Sequence, residues 1–208
     1  MSSIKRFVSE AKQKLAITEF LKEKFGRSGF GGVEITRTPL GTHVVIYTMR
    51  PGRVIGRRGQ TIKELSEILE KEFGLPNPQI TVVEVEVPEL NPYIMASRIA
   101  ASLERGVHFR RASFWALRRI MEAGALGAEI VISGKLRSDR SRYEKCVAGY
   151  VPKAGEPAEK YVKKAVVHVK LKPGVYGVKV SITQPDAVFP DKPLLEVPKA
   201  EETTEETE

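Results

Sequence analysis

The chain has 208 residues, enough for one sizeable hydrophobic core or two small ones, and a formal net charge of +8 from 34 Lys+Arg against 26 Asp+Glu. That balance favours a polyanionic partner. The single cysteine, Cys146, excludes an internal disulfide and a cysteine zinc site, and no membrane-length apolar run or signal peptide is visible, so the expected setting is the cytoplasm with no membrane contact.

The positive charge is uneven. Residues 1–88 carry +4, residues 89–195 carry +9, and residues 196–208 carry −5. Residues 4–25 read as helix, with Ile4, Phe7, Val8, Ala11 and Leu15 on one apolar face. The phase shifts near Ile17-Thr18-Glu19, so two consecutive helices are compatible with the pattern. A glycine-rich loop follows, then short strands at Val33 to Thr38 and His43 to Met49, joined by a Pro39-Leu40-Gly41 turn. After a helical turn and a helix, Ile80 to Val87 reads as a third strand, with Val83, Val85 and Val87 alternating with Glu84 and Glu86.

Between the second and third strands lies the most informative stretch, Val54-Ile55-Gly56-Arg57-Arg58-Gly59-Gln60-Thr61-Ile62. Two glycines three apart bracket two arginines. Ile62, Leu65, Leu69 and Phe73 then fall on one helical face, with Lys63 among the residues opposite. A glycine lets another chain approach its main chain closely, and free N–H groups at a helix start attract anions. Arg53, Arg57, Arg58 and Lys63 add charge at the same place. This is the chemistry of the GxxG loop of KH domains, which clamps about four nucleotides. The plainer reading is a glycine turn with two solvated arginines. The preceding Val-Ile, the amphipathic helix behind the loop and the element order favour a type II KH domain. No G-x-x-x-x-G-K-[ST] or G-x-G-x-x-G pattern competes with it.

Pro88-Glu89-Leu90-Asn91-Pro92 breaks the pattern and marks a boundary near residue 88. Asn91 suits an N-cap and Pro92 a first helical position. A helix to about Arg105 presents Met95, Ile99 and Leu103 on one face. A second, about Phe109 to Ala123, presents Phe109, Ala112, Ala116 and Ile120. On another side of that helix Arg111, Trp115, Arg118 and Arg119 gather, next to Arg110. Such a stripe suits phosphates and unpaired bases. It equally suits a core Trp with solvated arginines around it, and periodicity alone leaves both open. Glu129 to Ser133 is then a strand, followed by a polar loop carrying Lys135, Arg137, Arg140 and Arg142, read as a phosphate-contacting loop against the plainer reading of a solvated one. Strands at Tyr143 to Val151, Ala165 to Lys172 and about Val178 to Ile182 follow, the last two forming a hairpin with one apolar and one basic face. The expected fold class is α+β: a type II KH domain over residues 1–88, a two-helix, four-stranded antiparallel domain over 89–185, and an extended, disordered proline-rich and acidic tail over 186–208.

With both halves in place the resemblance becomes specific. VIGRRGQTIKEL (Val54 to Leu65), FRRASFWALRRIMEAGALG (Phe109 to Gly127), EIVISGKLR (Glu129 to Arg137) and HVKLKPGVYGVKVSI (His168 to Ile182) resemble the small-subunit ribosomal protein S three family in its archaeal and eukaryotic form. The resemblance spans about Ile4 to Pro185. It implies a place on the head of the small subunit, contact with ribosomal RNA and neighbouring head proteins, and a share in the tunnel through which mRNA enters. In bacterial members, basic residues of the helix after the boundary grip mRNA and separate its strands. The first two match Arg110 and Arg111, and Phe114 occupies the third, a departure that bears on strand separation. Two other classes are weaker. A free KH-type RNA-binding regulator would share the loop but not need the basic second half. A nuclease or DNA lyase would need chemistry for which there is no metal cluster and no paired carboxylates, although a lysine could form a Schiff base. The three histidines, His43, His108 and His168, stand far apart and read as structural. No cofactor or metal is expected.

Overall fold

Two β-sheets, each backed by helices on one face, organise the computed structural model, which describes residues 3–38 and 41–189. The chain runs α1 (Ser3–Phe25), β1 (Phe30–Thr38), β2 (Gly41–Thr48), α2 (Pro51–Ile55), a 3-10 turn over Arg57–Gly59, α3 (Gln60–Lys71) and β3 (Pro78–Glu84). It continues with α4 (Pro92–Glu104), α5 (Phe109–Glu122), β4 (Gly127–Gly134), β5 (Arg142–Gly149), α6 (Glu156–Lys160), β6 (Val162–Leu171) and β7 (Gly174–Thr183). The first sheet is ordered β1-β2-β3, with β1–β2 antiparallel and β2–β3 parallel. The second is ordered β5-β4-β7-β6 and is antiparallel throughout. The α+β architecture expected from the sequence is the one observed. Residues 39 and 40 of the expected turn lie outside the described residues.

Two cores coincide with the two sheets. Ile17, Leu21 and Phe25 of α1, Val44 and Ile46 of β2, Val54, and Leu65 and Leu69 of α3 form one. Met95, Ile99, Phe109, Ala112, Ala116 and Ile120 pack on Ile130, Ile132, Val178, Val180 and Ile182 to form the other. The buried face of α5 is the one its period predicts, widened by Ser113 and Leu117. The alanines bring its backbone close to the second sheet.

Three expectations from periodicity give way to tertiary context. α1 is one continuous helix, and its first apolar stripe faces solvent: Ile4 is 71% and Phe7 69% exposed, with Val8 and Leu15 also open. The face turned to the body there is the polar one, where Gln13 donates to the Phe73 carbonyl and Glu10 pairs with Arg37 at 3.6 Å. The phase shift near Ile17 is the switch between these two faces. In β3 the inward residues are Ile80 and Val82, opposite the fully buried Val44 and Ile46 of parallel β2. Val83 and Val87 are exposed, so the Val83/Val85/Val87 alternation does not mark the core face. The described chain continues past residue 186 to Phe189. Phe189 is buried edge-on against Tyr150, with ring centroids 5.0 Å apart, and near Tyr161. Residues 190–208 of the expected tail lie outside the described residues. The sequence reads as a turn over Pro152 to Pro157 and gives no sign of the short helix α6 at Glu156–Lys160.

The junction is built by α4. Asn91 Oδ1 accepts from the N–H groups of Tyr93 at 3.0 Å and Ile94 at 3.3 Å, and its Nδ2 donates to the Gly31 carbonyl of β1 at 2.9 Å. One side chain thus caps a helix and joins it to the other sheet. Asn91→Ala is expected to cost about 1–2 kcal/mol in urea unfolding. Asn91→Asp keeps the cap acceptor, loses the donor to Gly31, and should fall between. Equal stability of all three proteins would contradict this role.

Candidate nucleic-acid interface

The GxxG segment is presented by two helices anchored in the first core. Val54 of α2 is fully buried, as are Leu65 and Leu69 of α3, while Ile55, Arg57 and Arg58 between them are exposed. Pro51 starts α2 at a position where its missing N–H costs nothing. Gly56 has φ 74° and ψ 179°, and a Cβ there would lie 2.1 Å from Thr61 Oγ1. Only glycine fits. Arg58 is itself left-handed, with φ 53°, an arrangement L-residues adopt at a cost of about 1–2 kcal/mol.

The amides of the loop divide in two. Gly56 N–H donates to the Gly52 carbonyl at 3.0 Å, and Gly59 N–H reaches the Gly56 carbonyl at a weak 3.5 Å. Among the described residues the N–H groups of Arg57 and Arg58 meet no backbone acceptor. The helix behind them starts at Gln60 with no side-chain cap. Two free donors, a helix N-terminus and two guanidinium groups unpaired with any described carboxylate therefore meet at one exposed turn. Lys63, one turn further, is also exposed and lacks a described carboxylate partner.

On the second unit the Arg/Trp stripe is at the surface. Trp115 is 44% exposed and the Arg119 guanidinium lies 6.0 Å from its ring centroid. Phe114 beside it is also exposed. The reading of a core tryptophan is set aside. Arg118 pairs with Glu122 at 2.9 Å, an exposed i,i+4 contact of little energetic weight. Arg111 carries no ion pair with a described residue.

The charged loop 135–141 joins this surface. Tyr176 Oη donates to the Lys135 carbonyl, seating the loop on the sheet. Glu144 Oε1 accepts from Arg110 Nε at 2.8 Å, and its Oε2 lies 3.5 Å from Arg137 Nη2. Glu144 thus ties the start of α5 to the loop, on which Lys135 and Arg140 are also carried, with Arg142 opening β5 behind it. Sequence reasoning missed it, because the glutamate is 34 residues from Arg110 and nothing local marks it. The fold assembles two cationic surfaces, the GxxG turn and the α5 end. No hydrogen bond or ion pair among the described residues joins them.

Other cations are internally neutralised. Lys145 and Lys153 bring their ammonium groups to 3.0 and 3.4 Å from the largely buried Glu129 Oε2. Burial opposes the Glu129 charge, but the two ammonium groups outweigh it and hold its carboxyl below the usual 4.5. The folded value being the lower one, the stabilisation is full above 4.5 and is lost as pH falls through the folded value. Glu129→Gln should flatten that acid limb of thermal stability. An unchanged limb would contradict the assignment.

His43 Nε2 lies 2.9 Å from Thr81 Oγ1, and His108 stacks on Phe109 with centroids 4.3 Å apart. Cys146 is buried, and that burial pushes its thiol up. Among the described residues no group of three His, Cys, Asp or Glu could hold a metal ion, and no helix is long and apolar enough to cross a membrane.

Residues 16–90 match the KH domain family, and residues 99–182 match the C-terminal domain of ribosomal protein S3. The small ribosomal subunit protein uS3 of Saccharolobus solfataricus is 52% identical over 186 residues, covering 89% of this chain and 81% of the relative. The chain belongs to the uS3 family. The uS3 of Thermofilum pendens is 52% identical over 194 residues, covering 93% of this chain and 96% of that protein. That of Methanothermobacter thermautotrophicus is 51% identical over 188 residues, covering 90% and 73%. The GxxG turn lies within the KH match, and α5 with the loop after β4 lies within the uS3 C-terminal match.

Proposed function

We propose that this chain is a structural constituent of the head of the small ribosomal subunit in the cytoplasm, where it binds ribosomal RNA and helps line the tunnel through which mRNA enters. Residues 1–88 serve as the KH-type RNA-binding unit and 89–185 as the second basic unit. The observation that carries this reading is the pair of exposed cationic surfaces, one at the free amides of Arg57 and Arg58, the other at Arg110, Arg111 and Trp115. The first is suited to a sugar–phosphate backbone held irrespective of base. The second combines phosphate-binding guanidinium groups with an open aromatic face, which suits a moving single strand. No covalent step is required. Affinity built from many phosphate contacts should fall steeply with salt.

Protein neighbours on the head have a ready surface in the exposed Ile4, Phe7, Val8 and Leu15 stripe of α1, flanked by Lys5, Lys12 and Lys14. Sedimentation of cell extract tests both levels. The wild-type chain is expected to co-migrate with the small subunit; a chain that stays at the top of the gradient would favour a free regulator. Phe7→Ser with Leu15→Ser should lower the subunit-bound fraction severalfold while the melting temperature of the isolated protein is unchanged, because neither side chain is buried. Full incorporation of that variant would remove the stripe from the account.

A further inference from the structure

Between the two units lies a cleft of about 360 Å³, lined among others by Gly29, Met49, Arg50, Ser97, Arg98 and Arg105. Its walls come from both halves of the chain. Gly29 and Met49 meet where β1 and β2 begin and end, with Met49 N–H donating to the Gly29 carbonyl at 2.9 Å. Arg98 and Arg105 come from α4 and the residue that caps it. Three arginines line it against a single carboxylate, Glu104, among the lining residues.

Their donors are incompletely used. Arg98 gives Nη1 to Glu89 at 2.9 Å, but its Nη2 lies 2.8 Å from Met49 Sδ, a poor acceptor. Arg105 is steadied by Nε on the Ala101 carbonyl at 3.1 Å and by Nη2 on Ser102 Oγ at 3.3 Å, and its further N–H groups have no acceptor among the described residues. The Arg50 side chain is exposed and pairs with no described carboxylate. A part-buried guanidinium facing sulfur, beside the exposed Arg50 and an Arg105 with donors to spare among the described residues, makes a concave site suited to an oxyanion.

Position narrows the ligand. Arg50 directly precedes α2, and α2 ends at the GxxG turn, about 8 Å away along five helical residues. A strand gripped at Gly56 to Gly59 can extend past α2 into the cleft. We propose that the cleft is a second RNA phosphate-binding site, in which Arg50, Arg98 and Arg105 hold the sugar–phosphate backbone of a strand already clamped at the GxxG turn. The two units are thereby tied together by the RNA as well as by Asn91. This rests on the RNA-binding reading above.

The test uses the full chain with fluorescein-labelled rU4 and rU12 and measures anisotropy over a range of KCl. Four nucleotides fill the loop, and twelve reach the cleft. Arg50→Ala with Arg105→Ala is expected to weaken rU12 binding about tenfold and to reduce the salt slope by about 1.4, at about 0.7 per single-strand phosphate contact, with rU4 binding unchanged. Arg50→Lys with Arg105→Lys should restore most of the slope, which separates charge loss from misfolding. Arg98 is left intact because it also packs between Glu89 and Met49. Unchanged rU12 binding, or equal losses for rU4 and rU12, would overturn the cleft. Arg57→Glu with Arg58→Glu is the control for the reading beneath it. If that variant binds rU4 like wild type, the GxxG reading falls and the cleft with it.

Discussion

Gly56→Ala is expected to reduce RNA affinity about 100-fold, as much as Arg57→Glu with Arg58→Glu, although it changes no charge. The added Cβ would sit 2.1 Å from Thr61 Oγ1 and 2.8 Å from Thr61 Cβ, at a φ of 74° that L-residues resist. Backbone strain of about 1–3 kcal/mol adds to the clash. The chain can relieve both only by moving the turn or the start of α3. Either movement misdirects the Arg57 and Arg58 amides, and each charge-assisted hydrogen bond lost costs about 1.5–3 kcal/mol. Gly59→Ala is the internal contrast. Gly59 is also left-handed, with φ 73°, but no atom lies within 4 Å of a Cβ built there. It should cost only about 1–2 kcal/mol of stability and a few-fold in affinity. Binding isotherms at one fixed salt concentration, with thermal unfolding beside them, check the pair. Equal behaviour of the two glycine variants would contradict the backbone account and leave only the arginine charge.

Arg110→Ala with Arg111→Ala is expected to slow translation through a stable mRNA hairpin about tenfold while subunit assembly and protein stability are preserved. Stability is preserved because the Arg110–Glu144 pair is half exposed on the arginine side, and such pairs contribute at most about 1 kcal/mol. Arg111 has no ion pair with a described residue to lose. Function is expected to suffer because both cations lie in the first turn of α5, where Arg110 and Arg137 of the loop meet on Glu144. Phe114, at the position that is basic in bacterial members, is 60% exposed. It can stack on a base but cannot neutralise a phosphate, so Arg118 and Arg119 are the remaining charges along the stripe. A ribosome-profiling or single-hairpin transit assay reads the effect. Unchanged transit with both arginines removed would withdraw the mRNA role and leave the ribosomal RNA role intact.

Local signals were legible wherever one element's own period decides its environment. Asn91-Pro92 announced a capped helix start, and Phe109, Ala112, Ala116 and Ile120 announced the buried face of α5. The GxxG turn was legible because φ above zero at Gly56 is a property of the residue itself. What escaped were choices made by partners far along the chain. The stripe Ile4, Phe7, Val8 and Leu15 has the period of a core face, yet among the described residues it is left exposed. In β3 two parities of apolar residue compete, and parallel pairing with β2 selects Ile80 and Val82. Arg110 and Arg137 were visible as cations, but the carboxylate that positions both was not. Phe189 looked like part of a tail until Tyr150 and Tyr161 were found around it.

The most direct test is a backbone amide measurement. With isotopically labelled protein, addition of rU4 is expected to shift the N–H resonances of Arg57 and Arg58 strongly and to slow their exchange with solvent, while Gly56 N–H, already bonded to the Gly52 carbonyl, changes little. If rU4 binds with these two signals unmoved, the RNA is not held by the main chain of this turn, and the central assignment is wrong.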